Sequence, residues 1–231
     1  MERLDDLCVG GLKIYQDPEA FCFGTDAVLL SRFASRKRFQ TAADLCCGSG
    51  VIPLLLSAFA PSAVLWGVDL SDRQVELAQK SVGYNGLESR VRIFRADVRA
   101  KNQFSPGQLD LVTANPPYQR VGSGLLPRKG QRAARTEETC TVFDVTETAS
   151  FLLRSGGRLA VVYCPNRLAD LLEACRRVQL EPKVLQLIYP APDREPQLML
   201  LEAVRQAKPG MRLSPPIFLN DGVSNLDRSM E

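Results

Sequence analysis

The chain contains no histidine among its 231 residues. A Ser-His-Asp triad, a Cys-His dyad and a histidine-ligated metal centre are therefore excluded, because each of them needs an imidazole. Long apolar runs are also lacking, since no stretch reaches the roughly 20 residues of a membrane-spanning helix. The acidic start, Met1-Glu2-Arg3-Leu4-Asp5-Asp6, is not typical of a secretion signal. These absences predict a cytoplasmic protein with neither a membrane nor a metal partner.

Regularly spaced cysteines are missing as well. There are seven cysteines, an odd number, and Cys46 and Cys47 are adjacent. Such a pattern does not indicate a disulfide framework, and it agrees with a reducing compartment. The length and the balance of 45% hydrophobic with 24% charged residues predict one sizeable globular domain with additions.

Apolar segments alternate with capped, helix-forming segments along the chain. Strands are predicted at residues 42–45, 63–69, 90–95, 109–114 and 157–164. Helices are predicted at residues 25–33 with Thr25 or Asp26 as N-cap, 51–60, 71–85, 142–154 and 168–178. This alternation predicts an α/β fold with a mainly parallel sheet. Two consecutive strands at 184–189 and 197–204 have no helix between them, which predicts an antiparallel C-terminal hairpin.

The sequence Asn115-Pro116-Pro117-Tyr118 follows the predicted strand at 109–114. An asparagine side chain offers an acceptor oxygen and two N–H donors, so Asn115 can bind an amino group without protonating it. The two prolines end the strand and leave nearby carbonyl groups facing whatever binds above it, while Tyr118 adds a flat aromatic face. These features predict a pocket for a planar group with an exocyclic NH2. Taken alone, the four residues also fit an ordinary loop start.

A glycine turn, Gly48-Ser49-Gly50, follows the first predicted strand of the parallel sheet. Pro53 stands where a dinucleotide-binding fingerprint has its third glycine, so that fingerprint is incomplete. Asp44 at the mouth of the turn would repel a pyrophosphate but attract the ammonium or sulfonium group of S-adenosylmethionine.

Two further carboxylates follow the next two strands. Asp69 can accept hydrogen bonds from ribose hydroxyls, and Asp97 can accept one from an adenine amino group. Each of these acids fits an exposed loop position equally well when considered alone. Because the carboxyl ends of parallel strands meet at one edge, the three acids together predict a single cofactor site.

Positive charge is concentrated in two segments that contain no acidic residue. Residues 27–43 carry Arg32, Arg36, Lys37 and Arg38, and residues 111–136 carry Arg120, Arg128, Lys129, Arg132 and Arg135. Segments that carry only positive charge fit a polyanionic binding partner. The alternative, which remains open, is that these side chains are simply exposed to solvent.

The segment Asp44-Leu45-Cys46-Cys47-Gly48-Ser49-Gly50, with Asp69, Asp97 and the Asn-Pro-Pro-Tyr motif, resembles class I S-adenosylmethionine-dependent methyltransferases that act on amino groups. The motif is shared by adenine-N6 and glutamine-N5 methyltransferases. Residues 23–30 and 134–137 resemble segments of the bacterial tRNA (adenine-N6)-methyltransferases that modify an adenine beside the anticodon of a valine tRNA. The resemblance covers residues 10 to 205. Two residues depart from the family pattern: Cys46 stands at its usual first glycine, and Thr136 stands where many relatives have histidine.

The resemblance implies a Rossmann-like class I methyltransferase fold with a mainly parallel seven-stranded sheet. It implies an N-terminal extension and helix over the cofactor site (1–40), a methyltransferase domain (41–205) and a tail (206–231). The implied catalytic residues are Asn115, Pro116 and Tyr118. Residues implied to bind S-adenosylmethionine and its product S-adenosylhomocysteine are Thr25, Asp44, Cys46, Gly48, Gly50, Asp69, Leu70, Asp97, Val98 and Asn115. Residues implied to bind RNA, expected to be the anticodon region of a tRNA, are Arg36, Lys37, Arg38, Arg120, Arg128, Lys129, Arg132 and Arg135. A monomer or homodimer is expected.

Three alternatives remain open at this stage. A protein glutamine-N5 methyltransferase presents the same NH2 geometry, although such enzymes usually carry a helical domain before the core and only about 40 residues precede Asp44 here. A non-catalytic S-adenosylmethionine-binding scaffold is the second alternative. A dehydrogenase is the third, and Asp44 and Pro53 argue against it. The nucleotide cofactor that raises the melting temperature would discriminate among them.

Overall fold

The computed structural model describes residues 2–19, 22–116 and 140–219, apart from the side chain of Asn102. The strands are β1 (Arg3–Asp6), β2 (Lys13–Gln16), β3 (Thr41–Leu45), β4 (Val64–Asp69), β5 (Val91–Arg95), β6 (Leu109–Ala114), β7 (Leu153–Tyr163), β8 (Leu180–Tyr189), β9 (Leu198–Arg205), β10 (Arg212–Leu213) and β11 (Ile217–Phe218). The helices are α1 (Thr25–Ser35), α2 (Val51–Phe59), α3 (Asp72–Tyr84), α4 (Val142–Leu152) and α5 (Leu168–Arg177), with short 3-10 turns at Lys101–Gln103 and Pro165–Arg167.

The main sheet has the strand order β10-β8-β9-β7-β6-β3-β4-β5, with β11 also paired to β8. The five strands from β7 to β5 are parallel, whereas β9 runs antiparallel to both β7 and β8. The predicted mainly parallel sheet and its C-terminal hairpin are therefore confirmed. The seven predicted strands are all present, and β10 and β11 add two residues each along β8.

Helices cover both faces of this sheet. Buried side chains of α1, α2 and α3 pack on one face, and those of α4 and α5 pack on the other. Alternation along a strand places Leu111, Thr113 and Asn115 on the same side, and Leu111 belongs to the core beneath α1. The side chain of Asn115 is thereby directed toward α1.

The N-terminal and C-terminal segments pack against the sheet and its helices. Strands β1 and β2 form an antiparallel hairpin, and the Tyr15 backbone N–H donates to the Ser81 hydroxyl of α3 at 2.9 Å. Within the predicted tail, β10 and β11 lie beside β8. Residues 220–231 lie outside the described residues.

The ends of several predicted elements were wrong. Strands β7 and β8 begin at Leu153 and Leu180, each four residues before its predicted start. Helix α1 has Gly24 as its N-cap, rather than Thr25 or Asp26, because the backbone is still extended at Gly24 and is already helical at Thr25. Helix α4 ends at Leu152, not at Arg154. Leu153 already pairs with Leu109 of β6 and is fully buried, so sheet pairing overrides the local helix propensity there.

No helix within the described ranges is long and apolar enough to cross a membrane. Over the same ranges, no cluster of three or more histidine, cysteine, aspartate or glutamate side chains is arranged to hold a metal ion. All seven cysteines are free thiols.

Asp110 joins β6 to the start of β3 at the amino end of the parallel strands. Its Oδ2 accepts from the Gln40 and Thr41 backbone N–H groups at 2.8 and 3.1 Å, and its Oδ1 accepts from Arg154 at 2.7 Å. Burial raises the pKa of Asp110, but these three donors lower it by more, so the net pKa lies below its ordinary value.

Asp110→Asn is expected to reduce the free energy of unfolding by about 1 kcal/mol at neutral pH, since charge-assisted hydrogen bonds are lost. Because the folded-state pKa is lowered, this stabilisation is present above the unfolded pKa of about 3.9 and is lost as the pH falls through the folded value. Urea unfolding at pH 7 and at about pH 3.5 should show the deficit narrowing in acid. An equal deficit at both pH values would contradict this assignment.

Candidate active site

The carboxyl ends of β3, β4 and β6 meet at one edge of the sheet. Asp44 of β3 lies in register with Thr113 of β6 on one side and with Gly67 of β4 on the other. The residues that leave these strands, Asp69 and Asn115 among them, are therefore neighbours of the glycine turn after β3. The structure thus brings together the central part of the predicted site.

Asp44 is a buried carboxylate with a hydrogen bond on one of its two oxygens. It is 1% exposed, its Oδ1 accepts from the Thr113 hydroxyl at 2.7 Å, and its Oδ2 has no hydrogen-bond partner among the described residues. Burial raises the pKa of Asp44 well above its ordinary value, and the nearby Asp69 carboxylate adds to the shift. A nearby cation would offset the free-energy cost of burying this oxygen without a partner, so Asp44 fits the ammonium or sulfonium group of the predicted cofactor.

The glycine turn is tied to the end of β4. The Cys47 N–H donates to the Val68 carbonyl at 2.9 Å, and the Gly48 N–H donates to Asp69 Oδ2 at 2.8 Å. Gly50 is the N-cap of α2 with a φ of 84°, a conformation that favours glycine. A Cβ there would also lie 3.0 Å from Ala78 Cβ. The turn therefore needs glycine at its last position.

Cys46 adopts a backbone conformation that favours glycine, with a φ of 60°. Cys46 therefore differs from the family's usual glycine in having a side chain, while its backbone takes the conformation that glycine favours. The Cys46 thiol lies 4.0 Å from the Cys140 thiol. The hydrogen bond with Cys140 and burial together raise the pKa of Cys46 well above its ordinary value, so the thiol stays protonated at neutral pH and is a poor nucleophile.

Asp69 ends β4 with both carboxylate oxygens engaged by backbone N–H groups, from Gly48 and, at 2.9 Å, from Ser71. Burial nevertheless raises its pKa above the ordinary value. A carboxylate has about four acceptor positions, so Asp69 retains capacity for two ribose hydroxyls. The adjacent Leu70 is 38% exposed, and its apolar side chain can cover a flat ring.

Asp97 and Val98 lie beside this region, after β5. The Ala96 N–H donates to the Asp69 carbonyl at 3.1 Å, which holds the two strand ends together. The Asp97 carboxylate is paired with Arg99 at 2.6 Å, and this pairing lowers its pKa. Val98 is buried. Binding of an adenine amino group by Asp97 would therefore compete with Arg99.

Asn115 directly follows β6 and is half-buried, and the next residue, Pro116, is buried. The Asn115 Nδ2 donates to Asp26 Oδ2 at 2.9 Å. Thr25, at the first position of α1, is exposed. Asp26 is a neighbour of Asn115 that the sequence analysis did not place at the site. It belongs to the segment 23–30, which resembles the family, but it was interpreted only as a helix cap.

The predicted RNA-binding residues of the first basic segment lie at the other end of α1. The helix has 11 residues, which corresponds to about 16 Å. Arg36 donates to the Gln186 side chain at 2.8 Å, and Lys37 pairs with Glu202 at 2.6 Å. The structure therefore does not bring Arg36, Lys37 and Arg38 to the edge that carries Asn115, and their RNA-binding role stays a prediction.

Several predicted residues lie outside the described part of the chain. They are Pro117, Tyr118, Arg120, Arg128, Lys129, Arg132, Arg135 and Thr136.

Known proteins resemble this chain in sequence and in fold. The family model for the methyltransferase small domain matches residues 12–181. A tRNA1(Val) (adenine(37)-N6)-methyltransferase from Parabacteroides distasonis is 28% identical over 201 residues, which is 85% of this chain and 83% of that protein. A ribosomal protein uL3 glutamine methyltransferase from Bradyrhizobium diazoefficiens is 34% identical over 96 residues, which is 42% of this chain and 30% of that protein.

Among solved structures, a predicted O-methyltransferase from Agrobacterium tumefaciens shares the fold. Its TM-score is 0.71 at 23% identity, covering 89% of this chain and 96% of that chain. The expected methyltransferase fold is thereby confirmed. Since the family model also matches most of the sequence, the chain belongs to the methyltransferase small domain family, and the prediction that it is a methyltransferase is confirmed.

Proposed function

We propose that this chain is an S-adenosylmethionine-dependent methyltransferase that methylates the exocyclic N6 of adenine in RNA, with the anticodon region of a tRNA as its substrate. The observation that carries this proposal is the position of Asn115 at the end of β6, two residues beyond Thr113, which lies in register with Asp44. Within the described ranges, Oδ2 of Asp44 has no hydrogen-bond partner. The Asp44 carboxylate fits a cofactor cation, and the Asn115 side-chain amide fits a substrate amino group. The name of the Parabacteroides relative agrees with this substrate. A cytoplasmic monomer or homodimer fits the same role.

The cofactor would be held by residues from three strand ends. Asp44 would bind its cationic methionine end, and the Asp69 carboxylate would accept from its ribose hydroxyls. Leu70 and Val98 would enclose the adenine, with Asp97 accepting from its amino group. Thr25, Cys46, Gly48 and Gly50 would line the remaining surface. When bound, S-adenosylmethionine supplies an electrophilic methyl group on a sulfonium centre and leaves as S-adenosylhomocysteine.

The protein's part in the reaction is positioning. The N6 lone pair of adenine is delocalised into the ring, which makes the amino group a poor nucleophile. If Asn115 Oδ1 and the Pro116 carbonyl accept its two hydrogens, the nitrogen gains tetrahedral character and its lone pair turns toward the methyl group. Asn115 and Pro116 would thereby hold the nitrogen in line with the methyl group that the bound cofactor would supply, and the nitrogen, cationic after transfer, would release its proton to water. No strong base is needed, which agrees with a chain without histidine.

A protein glutamine side chain is the second candidate substrate, because its amide presents the same NH2 geometry. The similarity to the uL3 glutamine methyltransferase favours it, although the matched region is 30% of that protein. A scaffold without catalysis is the remaining alternative.

The proposed activity predicts transfer of radiolabelled methyl groups from S-adenosylmethionine into total tRNA from a strain lacking this protein. Nucleoside analysis should place the label in N6-methyladenosine, and the Asn115→Ala variant should incorporate far less in the same time. Bulk ribosomal protein and total tRNA from the unmodified strain serve as parallel substrates. Label found only in protein would show that the substrate is a protein glutamine and not RNA. Cofactor binding without any methyl transfer would support a non-catalytic scaffold.

A further inference from the structure

The side-chain amide of Asn115 has one neighbour that determines which of its ends faces outward. Its Nδ2 lies 2.9 Å from Oδ2 of Asp26, across 89 residues of sequence. Asp26 is 8% exposed, and its other oxygen accepts from the Ala27 backbone N–H at 3.0 Å. Both oxygens of this carboxylate therefore face N–H groups.

An ionised carboxylate accepts hydrogen bonds and donates none. The amide nitrogen of Asn115 must consequently face Asp26, and the amide oxygen is left for another donor. In the flipped amide, Oδ1 would face the carboxylate, and two acceptors would repel each other. The amide NH2 would then face the substrate NH2 group, so that two hydrogen-bond donors would meet. Only the observed orientation presents an acceptor to the substrate.

The fold holds Asp26 firmly in this place. Leu29 and Leu30, one turn further along α1, are fully buried in the core, so the helix cannot shift without disturbing its packing on the sheet. Asp26 lies in the first turn of α1, where the helix dipole favours a negative charge. At Gly24, a Cβ would lie 2.8 Å from Asp26 Oδ1. Glycine at that position leaves room for the carboxylate.

We infer that Asp26 is a positioning residue, which locks the Asn115 amide with its oxygen toward the substrate amino group. The inference rests on the proposed amino-group methylation at Asn115. Asp26 itself touches neither the substrate nor the cofactor in this scheme. Its contribution is to exclude the unproductive amide orientation before the substrate arrives.

The test compares Asp26→Asn with Asp110→Asn, which removes a carboxylate from the other end of β6, about 16 Å from Asn115. An asparagine at position 26 can donate or accept, so both Asn115 orientations become available. We expect kcat on RNA to fall about 10- to 100-fold in Asp26→Asn, with KM for RNA and Kd for S-adenosylmethionine changed less than threefold. Asp110→Asn should keep the wild-type kcat.

A reversed pair provides a rescue experiment. Asn115→Asp alone places two carboxylates in contact and should be nearly inactive at neutral pH. The double variant Asp26→Asn/Asn115→Asp restores a hydrogen bond with donor and acceptor exchanged, and an oxygen at position 115 again faces the substrate. Its kcat should exceed that of Asn115→Asp at least tenfold.

The amide orientation also has a readout that needs no substrate. The Asn115 side-chain NH2 resonances, assigned by their loss in Asn115→Ala, should show one strongly hydrogen-bonded, slowly exchanging proton in the wild type and should lose it in Asp26→Asn. Unchanged resonances in Asp26→Asn, or full kcat in that variant, would overturn the inference. A wild-type enzyme that leaves RNA unmethylated would instead refute the proposed substrate, and the NMR comparison would still decide the role of Asp26.

Discussion

Asp44→Asn is expected to stabilise the ligand-free protein while abolishing its response to S-adenosylmethionine. In the part of the chain that the structure describes, the buried Asp44 carboxylate has one hydrogen bond, from Thr113, and one oxygen without a partner. Removing its charge should raise the free energy of unfolding by about 1–2 kcal/mol, or about 2–8 °C in melting temperature. Loss of one partner from a buried charge pair should weaken cofactor binding at least about a hundredfold.

The stabilising effect of Asp44→Asn has a defined pH dependence. Burial raises the pKa of Asp44 in the folded state, above an unfolded value of about 3.9. Between these two values the folded state binds more protons than the unfolded state, so the wild type loses stability as the pH rises. The advantage of the variant should be small near pH 4 and should grow toward neutral pH.

Melting curves with and without S-adenosylmethionine, recorded from pH 4 to pH 8, measure both effects. Asp110→Asn is the matched control, because the same substitution there is expected to destabilise the protein and to leave the cofactor-induced shift intact. A lower melting temperature of ligand-free Asp44→Asn at pH 7, or an undiminished cofactor-induced shift, would contradict this account of the site.

The parts of the site that could be predicted from sequence are those set by strand order and strand ends. Asp44, Asp69 and Asn115 each follow or end an apolar segment, and parallel strands bring such positions to one edge. The C-terminal hairpin was predictable for a similar reason, since the absence of a helix between two strands leaves an antiparallel turn. The apolar pattern depends only on neighbouring residues, so strands and their ends can be predicted from it without knowledge of the tertiary structure.

Contacts between distant side chains could not be predicted in this way. The bond between Asp26 and Asn115 depends on where α1 crosses the sheet, and no spacing in the sequence encodes that crossing. The basic segment at residues 36–38 shows that a charge pattern does not locate a residue within the fold. Its charge pattern favoured RNA contacts, whereas the length of α1 places it at the far end of the helix, where Arg36 and Lys37 bind Gln186 and Glu202.

Asn115→Ala is expected to lower kcat about 100- to 1000-fold, the usual cost of removing one positioned catalytic hydrogen-bonding group. Cofactor affinity should change much less, since Asp44 and Asp69 are untouched. The substitution also leaves Asp26 Oδ2 without its donor, so the free energy of unfolding should fall by about 1–3 kcal/mol. Steady-state kinetics with RNA, together with urea unfolding, separate these two consequences.

Asn85→Ala is the matched control for that loss of stability. The Asn85 amide accepts from the Lys13 backbone N–H at 3.0 Å and donates to the Lys13 carbonyl at 2.7 Å, so its removal should destabilise the protein without lowering kcat. A kcat for Asn115→Ala within threefold of the wild type would exclude Asn115 from catalysis. Adding Asp26→Asn to Asn115→Ala should cost no further kcat, because a positioning residue has no effect once the group that it positions is gone.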